Sequence, residues 1–439
     1  MTEVPFLDTS SHSNQLEPAY LHMKSIICSI LISSFYVAAE SQGYAANLED
    51  CYRGALARSE DVATQGELLN QAEEKYKQAI GSVLPQISGT AQELWQDNSS
   101  QSPLFPSNQP LVKLTATQAL FQGFREFAAL RQSKSNIRAQ EEAKRQAATQ
   151  LYKDVSTSFY TVIASERDIL NLQSEIGFYD RRIADLKQFY KIGRSRLSEV
   201  LTSQSLVAGL KAQIEQATGQ RNVNRQILAY LTGLSPDVPL TDAETLPASI
   251  ASLESYLAKL EARPDVAQNL FLQNSAHEGI SIAKGAHLPN VNFLGDYYLV
   301  RFGSLSNVAW DVQLALTLPI FSGGVIQSQV RSAESIFNQA DLSLSKVKRL
   351  GEEEIRTLYA AVQADQRQYA ALVEAEQLSE KTFNEQTREY KLGLVTNLDV
   401  IQAMTVFQEN KRSLDRASSA MKLDYAKLEA AAAMRPAVH

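Results

Sequence analysis

Cysteine is nearly absent from this chain of 439 residues, which contains two. Cys28 falls in an N-terminal apolar stretch with the features of a cleavable leader, so Cys51 would remain without a partner in the mature chain. An internal disulfide is therefore excluded. Glu49 and Asp50 stand before Cys51 where a lipoprotein cleavage box requires small residues, so we expect no lipid anchor at Cys51.

Proline is missing from two long stretches, one between Pro110 and Pro236 and one between Pro319 and Pro436. Glycine is sparse in both, and strong helix formers such as alanine, leucine, glutamate and lysine dominate. Residues 124–191 could form one helix of roughly 65 residues, or about 100 Å. Helices of globular proteins average about 11–12 residues, so these stretches predict helices too long for an ordinary globule.

Basic patches and catalytic motifs are also missing. The net charge is -7, and the basic residues are spread along the helical stretches without interleaved aromatics, so we expect no nucleic-acid partner. The chain has no phosphate loop, cysteine cluster or nucleophile elbow, and its five histidines show no ligand spacing. The sequence therefore predicts a protein that is not an enzyme and has no catalytic residue, metal site or cofactor.

The N-terminus has the order of a secretory signal. Lys24 precedes an apolar run over 26–39, and small residues follow as far as Ala45. The run is too short to span a membrane as a helix. Met23 is a plausible start, and we expect residues 1–45 to comprise an N-terminal extension and a cleavable signal peptide.

The most informative positive feature is an internal repeat. Tyr190-Lys191-Ile192-Gly193 is answered by Tyr390-Lys391-Leu392-Gly393, and Phe121-Gln122-Gly123 by Phe321-Ser322-Gly323 at the same offset. Such a period is far too long for a solenoid of small repeats. It predicts one fold made of two similar halves.

We place the halves at residues 46–240 and 241–439. Each is expected to contain a helix, two strands and a long helical hairpin. Gly193 and Gly393 would cap the first arm of each hairpin in the left-handed conformation, and the return arms would cover residues 197–231 and 398–432.

The first long helix carries a regular apolar seam. Its positions are spaced by alternating threes and fours, as in a coiled coil, with Glu166 as the one gap; they are Val155, Phe159, Val162, Ile169, Leu172, Ile176, Tyr179, Ile183, Leu186 and Tyr190. The seam of the second copy is interrupted by polar residues such as Gln366 and Gln377. A looser seam suits packing against several neighbours, or a face lining water.

Two pairs of strands precede the long helices. Residues 308–318 alternate between an apolar face and a small or polar face, and residues 291–302 are their expected partner. The first copy offers the same pair at 86–96 and 111–120, joined by a polar loop. Each strand is about ten residues long, the length that crosses a membrane at a tilt.

Aromatic residues cluster in or beside these strands, as in an interfacial girdle; they include Trp95, Tyr297, Tyr298, Phe302, Trp310 and Phe321. A soluble hairpin would show the same alternation and remains an alternative. Two hairpins cannot close a barrel within one chain, and lipid does not tolerate open sheet edges. Strands that span a membrane would therefore have to be pooled by several chains.

Together these motifs, in order and duplicated, resemble the TolC-like outer-membrane efflux proteins. The resemblance covers roughly residues 46–433 and rests on the duplicated layout, the two tip motifs, the Phe-x-Gly junctions, a Leu-Pro before each first strand, and Arg263-Pro264-Asp265. It implies a mainly α fold with a small β part. Three copies would form an α-barrel of coiled hairpins and pool four transmembrane strands per chain into one β-barrel.

The resemblance also implies a function and a location. The protein would be a homotrimeric channel in the outer membrane of a Gram-negative bacterium, in contact with membrane lipid and extending into the periplasm. It would serve an efflux pump or a type I secretion system. A periplasmic adaptor and an inner-membrane transporter of the RND or ABC type would be its partners. The alternative is a soluble periplasmic coiled-coil adaptor or scaffold.

Four gate residues follow from the resemblance. The family's linking tyrosine matches Tyr390, and its acidic partner matches Glu199, which is longer than the expected aspartate. A basic residue that often follows the second tip glycine by two is Val395 here. The acidic constriction ring resembles Asp399, and its second acid would be Gln402. A ring of Asp399 carboxylates would favour cations.

The hairpin tips are the expected adaptor contact; the residues concerned are Gly193, Arg194, Arg196, Gly393, Val395 and Thr396. Structural interpretations of the gate residues remain open. Tyr190 and Tyr390 could simply complete the seam, and Glu199 and Asp399 could be acids favoured in the first turn of a helix.

Overall fold

The structure is a computed structural model that describes residues 45–97, 107–247, 249–303 and 305–435. The expected signal peptide over 24–39, and most of the polar loop over 97–110, lie outside the described residues. The helices are α1 (Leu48–Arg58), α2 (Glu60–Gly81), α3 (Arg125–Lys191), α4 (Leu197–Thr232), α5 (Leu253–Leu257), α6 (Pro264–Gly285), α7 (Val325–Leu392) and α8 (Asn397–Ala431). The strands are β1 (Gln86–Trp95), β2 (Asn108–Gln122), β3 (Asn290–Arg301) and β4 (Trp310–Thr317).

The two longest helices confirm the prediction made from the missing prolines. Helix α3 contains 67 residues and α7 contains 68, about 100 Å each at 1.5 Å per residue. Helix α4 returns along α3, and α8 along α7, so each half ends in a hairpin. Searching the described ranges finds no helix that is both long and apolar enough to cross a membrane.

Each strand-to-helix junction uses two consecutive left-handed residues. Gly123 and Phe124 have φ of 67° and 61°, and Gly323 and Gly324 have φ of 60° and 83°. Phe124 thus adopts a conformation that L-residues avoid. At Gly123 a side chain would also collide with the carbonyl of Gly285. The Phe-x-Gly motif therefore marks a sharp turn that the backbone requires.

The four strands form one antiparallel sheet in the order β1-β2-β3-β4. The sequence predicted two hairpins; in the structure β2 also pairs with β3, which joins the two halves. Strands β1 and β4 are the edges of this sheet. On one face the predicted apolar residues pair across strands, as Phe293 does with Leu314 and Tyr297 with Trp310.

The other face of the sheet is polar. Asp296 of β3 lies directly opposite Asp311 of β4, and neighbouring donors compensate the two charges. Lys113 and Thr115 of β2 donate to Asp296 at 2.9 and 2.5 Å, and the Tyr298 hydroxyl donates to Asp311 at 3.0 Å. The sheet therefore has one apolar and one hydrogen-bonded polar face, as the alternation predicted.

The core follows the predicted seam of α3. Eight of its ten residues are at most 8% exposed, including Val155 (0%), Phe159 (1%) and Leu186 (0%), and Tyr190 is the clear exception at 48%. The gap at Glu166 is explained by Arg225 of α4, which pairs with it. The seam of α7 is looser, as predicted.

A buried ion network joins the middle of the molecule. Arg263, at the start of α6, donates to the carbonyl of Ala431 at 2.7 Å and to Glu354 of α7 at 2.8 Å, and it also pairs with Asp265. Glu354 pairs in turn with Lys153 of α3. The Arg263-Pro264-Asp265 motif thus links α3, α6, α7 and α8.

Candidate functional site at the hairpin tips

Both hairpin tips are built in the same way. Gly193 and Gly393 have φ of 76° and 79°, the left-handed conformation predicted for them. After each glycine, the next backbone N–H returns to the last turn of the long helix: Arg194 donates to the carbonyl of Phe189 at 2.8 Å, and Leu394 to that of Glu389 at 3.0 Å. This bond satisfies helix-end carbonyls and turns the chain.

The acids that follow the tips cap the return helices. Asp399 accepts the backbone N–H of Thr396 at 2.7 Å and its hydroxyl at 2.6 Å, while Thr396 accepts the N–H of Asp399. These bonds hold the pKa of Asp399 below its usual value. Glu199, at the equivalent position of α4, accepts the hydroxyl of Ser195 at 2.6 Å. Both acids thus have a structural role at a helix start.

A cleft of 390 Å³ lies between the two tips. It brings together most of the residues that the sequence marked; its lining is Phe189, Arg194, Glu199, Tyr390, Lys391, Gly393, Val395, Thr396 and Asn397. Within the described chain, the Tyr390 hydroxyl makes no hydrogen bond to Glu199. Tyr390 and Glu199 are therefore neighbours in one cleft without a direct link. Gly193 and Arg196 are exposed at the tip but do not line this cleft.

Asp399 and Gln402 lie elsewhere, in a groove of 470 Å³ along α7 and α8. They share it with helix-surface residues; these include Leu378, Ser379, Thr382, Gln386, Ala403, Val406 and Asn410. The four gate residues expected from the resemblance are thus divided between two sites in the single chain. Tyr390 and Glu199 occupy one, and Asp399 and Gln402 the other.

The two repeated tyrosines differ. Tyr190 is 48% exposed, whereas Tyr390 packs against the cluster around Tyr179 and Leu186. The ring of Tyr390 lies under the guanidinium of Arg182, whose Cζ is 3.7 Å from the ring centroid. The duplicated positions therefore differ, with Tyr390 partly buried against this cluster and Tyr190 at the surface.

Arg182 of α3 is a residue of this site that the sequence did not reveal. It is 7% exposed, and its Nε donates to the side-chain oxygen of Asn397 at 2.9 Å. Burial lowers the pKa of its guanidinium. In the sequence Arg182 follows Arg181 and precedes the seam residue Ile183, so it has the pattern of a solvated helix charge.

A family model described as outer membrane efflux protein matches residues 51–234 and 257–433. The chain belongs to the outer membrane efflux protein family. This outer membrane efflux protein is 23% identical over 418 residues to the outer membrane protein TolC of Vibrio cholerae, a match covering 88% of this chain and 91% of that protein. It is 22% identical over 306 residues to the outer membrane efflux protein BepC of Brucella suis, covering 66% of this chain and 65% of BepC.

The fold of this outer membrane efflux protein is also that of solved channels. The crystal structure of the outer membrane protein VceC from Vibrio cholerae matches with a TM-score of 0.75 and 21% identity, covering 88% of this chain and 96% of that chain. The mainly helical TolC-like fold and the location in the Gram-negative outer membrane, both predicted from the sequence, are confirmed. The boundaries at 45/46 and 240/241 stay predictions.

Proposed function

We propose that this protein is a trimeric outer-membrane channel that passively conducts substrates out of the cell. The observation that carries this proposal is the four-stranded sheet, with two free edges and an exposed apolar face. On that face Ile87 is 75%, Trp310 65% and Leu316 68% exposed. Apolar side chains at this density are costly in water and favourable in lipid.

Closure of the sheet requires further copies of the chain. Unpaired backbone groups at a sheet edge cannot be satisfied in the hydrocarbon region. Pairing β4 of one copy with β1 of the next satisfies them, and three copies of four strands each make one closed barrel. The polar face with Asp296 and Asp311 would then line the water-filled interior.

The helical part supports the same assembly. In one chain the long helices lie side by side in the order α4-α3-α8-α7, so α4 and α7 border the layer. Both carry large exposed apolar side chains in the half nearest the tips; on α4 these include Leu201, Val223, Ile227 and Tyr230, and on α7 Leu378 and Leu392. Packing α7 of one copy against α4 of the next would bury them and close a tunnel.

The finer functional assignment is part of the proposal. An inner-membrane transporter of the RND or ABC type would deliver substrate through a periplasmic adaptor, in an efflux pump or a type I secretion system. The tip residues named above would contact the adaptor. Tyr390, Glu199, Asp399 and Gln402 would form the gate, and we infer no catalytic step.

A soluble periplasmic adaptor or scaffold was the competing hypothesis. Two observations disfavour it. The hairpin is present twice, and the strands of both halves meet in one sheet whose apolar face is covered by no helix of the described residues. A soluble protein would have to hide this face.

The test compares two adjacent substitutions in β4. Leu314→Asp places a charge on the apolar face, and Gln313→Asp places the same charge on the polar face. We expect Gln313→Asp to be extracted from outer membranes as a trimer that conducts ions in a planar bilayer, as the wild type should, while Leu314→Asp fails to assemble. A wild-type protein that fractionates as a soluble monomer would disprove the channel.

A further inference from the structure

A stripe of exposed cations runs along α3 where this helix leaves the sheet. Phe127 is exposed, and Arg131, Lys134 and Arg138 follow it at intervals of four, three and four residues, so all four lie on one face of the helix and all are exposed. The linear sequence conceals this stripe, because two or three other residues separate each member from the next. Only the folded helix brings the charges together.

Beside the stripe, a cleft of 310 Å³ opens between α3 and α6. Besides the three cations, its lining consists of Ser135 of α3 and of Phe271, Asn274, His277 and Glu278 of α6.

The cations of the cleft are not equally compensated. Arg131 forms a bidentate ion pair with Glu278, at 3.0 and 2.8 Å. Arg138 lies 5.8 Å from the centroid of the Phe271 ring, and neither Arg138 nor Lys134 has an ion-pair partner among the described residues. Like charges four residues apart on a helix repel each other. An anion held between Lys134 and Arg138 would therefore be stabilised by both.

The cleft opens on the side of the molecule that carries the apolar face of the sheet. Viewed from the polar face with the helices below, Tyr298 of the ascending β3 donates its N–H to Ala309 at 2.8 Å, and L-chirality then places β4 to the right of β3. The helices keep this order, with α3 to the left of α6. Ser275 of α6 contacts α3, so the right-handed winding of α6 directs Asn274, one residue earlier, away from the viewer.

The height of the cleft places it at the lipid headgroups. Phe121 lies on the apolar face of β2, and its ring meets that of Phe124 edge-on at 4.9 Å; aromatic rings beside a spanning strand mark the membrane interface. Arg131 and Lys134 lie about 6 and 10 Å beyond Phe127 along α3. The headgroup layer is roughly 5–8 Å thick, and long cationic side chains extend towards it.

The proposed trimer leaves the cleft accessible. Next to the sheet the helices lie in the order α2-α3-α6-α7, so neighbouring copies would meet at α2 and α7, away from the cleft. The second half has no equivalent cleft charge, because Glu334 and Asn338 stand 200 residues after Lys134 and Arg138. Each chain would therefore present one such cleft to the membrane.

We propose that this cleft binds the headgroup phosphate of an anionic phospholipid in the periplasmic leaflet, one lipid per chain. Lys134 and Arg138 supply positive charge, Asn274 and His277 supply further N–H donors, and Phe127 contacts the acyl chains above. Basic pockets beside membrane-spanning segments recognise anionic headgroups in this way. The inference rests on the channel function proposed above, because only a sheet inserted in the membrane brings the cleft to the lipid.

The first experiment counts lipids bound to purified trimers by native mass spectrometry, with phosphatidylglycerol or phosphatidylcholine as the probe. The cleft variant combines Lys134→Gln with Arg138→Gln. The control combines Lys144→Gln with Lys211→Gln, which changes the net charge equally outside the cleft. We expect the wild type and the control to bind three phosphatidylglycerol molecules per trimer, and the cleft variant to bind them about thirtyfold more weakly.

A charge-preserving variant guards against a loss of folding. Lys134→Arg combined with Arg138→Lys should bind phosphatidylglycerol as the wild type does. Equal affinity of the cleft variant and the control for this lipid would refute the site. So would equal binding of phosphatidylglycerol and phosphatidylcholine by the wild type. Inorganic phosphate that displaces the lipid at equal concentration would assign the cleft to free phosphate and overturn the lipid.

The second experiment tests which side of α3 meets the headgroups. Ser135→Cys and Ser133→Cys are each labelled with a fluorophore in vesicles that contain phosphatidylcholine with a nitroxide on its headgroup. Two residues turn a helix by about 200°, so Ser133 is a matched control at nearly the same height. The nitroxide should quench the label at Ser135 and not the one at Ser133.

The two proposals fail in different ways. A trimer that conducts ions but shows equal quenching at Ser135 and Ser133, or no preference for phosphatidylglycerol, would refute the lipid site alone. A wild-type chain that fractionates as a soluble monomer would refute the channel, and the lipid site with it.

Discussion

Glu175 of α3 is a buried acid in the boundary between the two hairpins. It is 4% exposed, and one of its carboxylate oxygens has no hydrogen-bond partner among the described residues. On α8, Gln408 is fully buried, and neither end of its amide is paired within the described chain. Burial raises the pKa of Glu175, against a smaller opposing effect of Arg412. Such unpaired groups oppose folding.

Glu175→Gln should therefore stabilise the protein at neutral pH. The folded-state pKa is raised above the unfolded value near 4.5, so the folded state binds the proton more tightly. Stability is then highest below the unfolded pKa, falls as pH rises towards the folded pKa, and stays low above it. The variant should unfold at a higher temperature than the wild type at pH 7, with the difference vanishing below about pH 4.

The measurement is thermal unfolding of the detergent-solubilised protein, followed by circular dichroism across this pH range. Glu215→Gln on the exposed surface of α4 removes the same charge and is the matched control. An equal rise in unfolding temperature in both variants would show that the effect comes from net charge. A rise in the Glu175→Gln variant that does not depend on pH would contradict the argument from burial of the carboxylate.

The sequence predicted which residues are buried only where those residues are apolar. The spacing of Val155, Phe159 and Leu186 identified one buried stripe of α3 correctly. The structure adds a second stripe, which includes Glu175 and Arg182 and faces α8. A coiled-coil pattern assumes one partner per helix, whereas α3 packs against α4 and α8 together, and polar residues in its second interface give no hydrophobic signal.

At the scale of the element, the tip glycines offer a direct test of hairpin geometry. Gly393 ends α7 at φ of 79°, and a Cβ added there would meet no other atom within 4 Å. The cost of replacing Gly393 therefore comes from its left-handed backbone conformation alone. Gly393→Ala should lower the unfolding free energy by about 1–2 kcal/mol. Gly177→Ala, in the interior of α3 and also without a neighbour to meet, should raise it by roughly 0.5–1 kcal/mol.

Chemical denaturation of the two variants checks this contrast. If Gly177→Ala also lowered the unfolding free energy, an added methyl group would destabilise the hairpin wherever it is placed, and the contrast with Gly393 would be lost. A neutral Gly393→Ala would show that the tip can turn without the left-handed conformation.

The start of α8 allows the capping role of Asp399 to be separated from the proposed pore role. Asp399→Asn removes the charge and keeps an oxygen that can accept from Thr396, while Asp399→Ala removes both. Only the alanine variant should lose the cap, at a cost of about 1 kcal/mol. If three Asp399 carboxylates line the pore, both variants should reduce cation selectivity in single-channel recordings.

Stability and reversal potential are measured on the same preparations. A reversal potential equal to that of the wild type in both variants would remove Asp399 from the constriction and leave it as a helix cap.

The strands show where local patterns stop being informative. Alternation located all four strands to within a few residues, because each strand carries its own signal. It did not reveal that β2 pairs with β3, since these strands are separated by the whole first hairpin. Strand β2 is also longer than predicted, at 15 residues, with register shifts at Val112/Lys113 and Ala119/Phe121. Bulges of this kind leave no period-two signature.

At the scale of the molecule, duplication produced two hairpins whose tips no longer have the same surroundings. The shared residues, such as Gly193 and Gly393, turn the chain in the same way. The divergent ones differ in environment, with Tyr190 at the surface and Tyr390 under Arg182.

The final prediction concerns closure of the proposed trimer. In it, edge strand β4 of one copy would have to pair with edge strand β1 of the next. Three double variants are made, in each of which Ile87 of β1 is replaced by cysteine together with one residue of β4. The β4 residue is Val312, Leu314 or Leu316, and all four positions lie on the apolar face. Side chains directly opposed on neighbouring strands bring their Cβ atoms to about 4.5–5.5 Å, close enough to bridge with small adjustments. One of the three pairs should therefore oxidise into covalent trimers on a denaturing gel.

The control is the double variant with cysteine at Ile87 and Gln313. Gln313 lies on the opposite face of the sheet, so its cysteine should form no disulfide with that of Ile87 in any register of β4 against β1. The native Cys51 is fully buried and should not contribute. Bridges formed within single chains would mean that the sheet closes on itself. No bridge in any pairing, in a protein that still runs as a trimer, would mean that contacts between helices alone hold the trimer together and that the strands close in some other way.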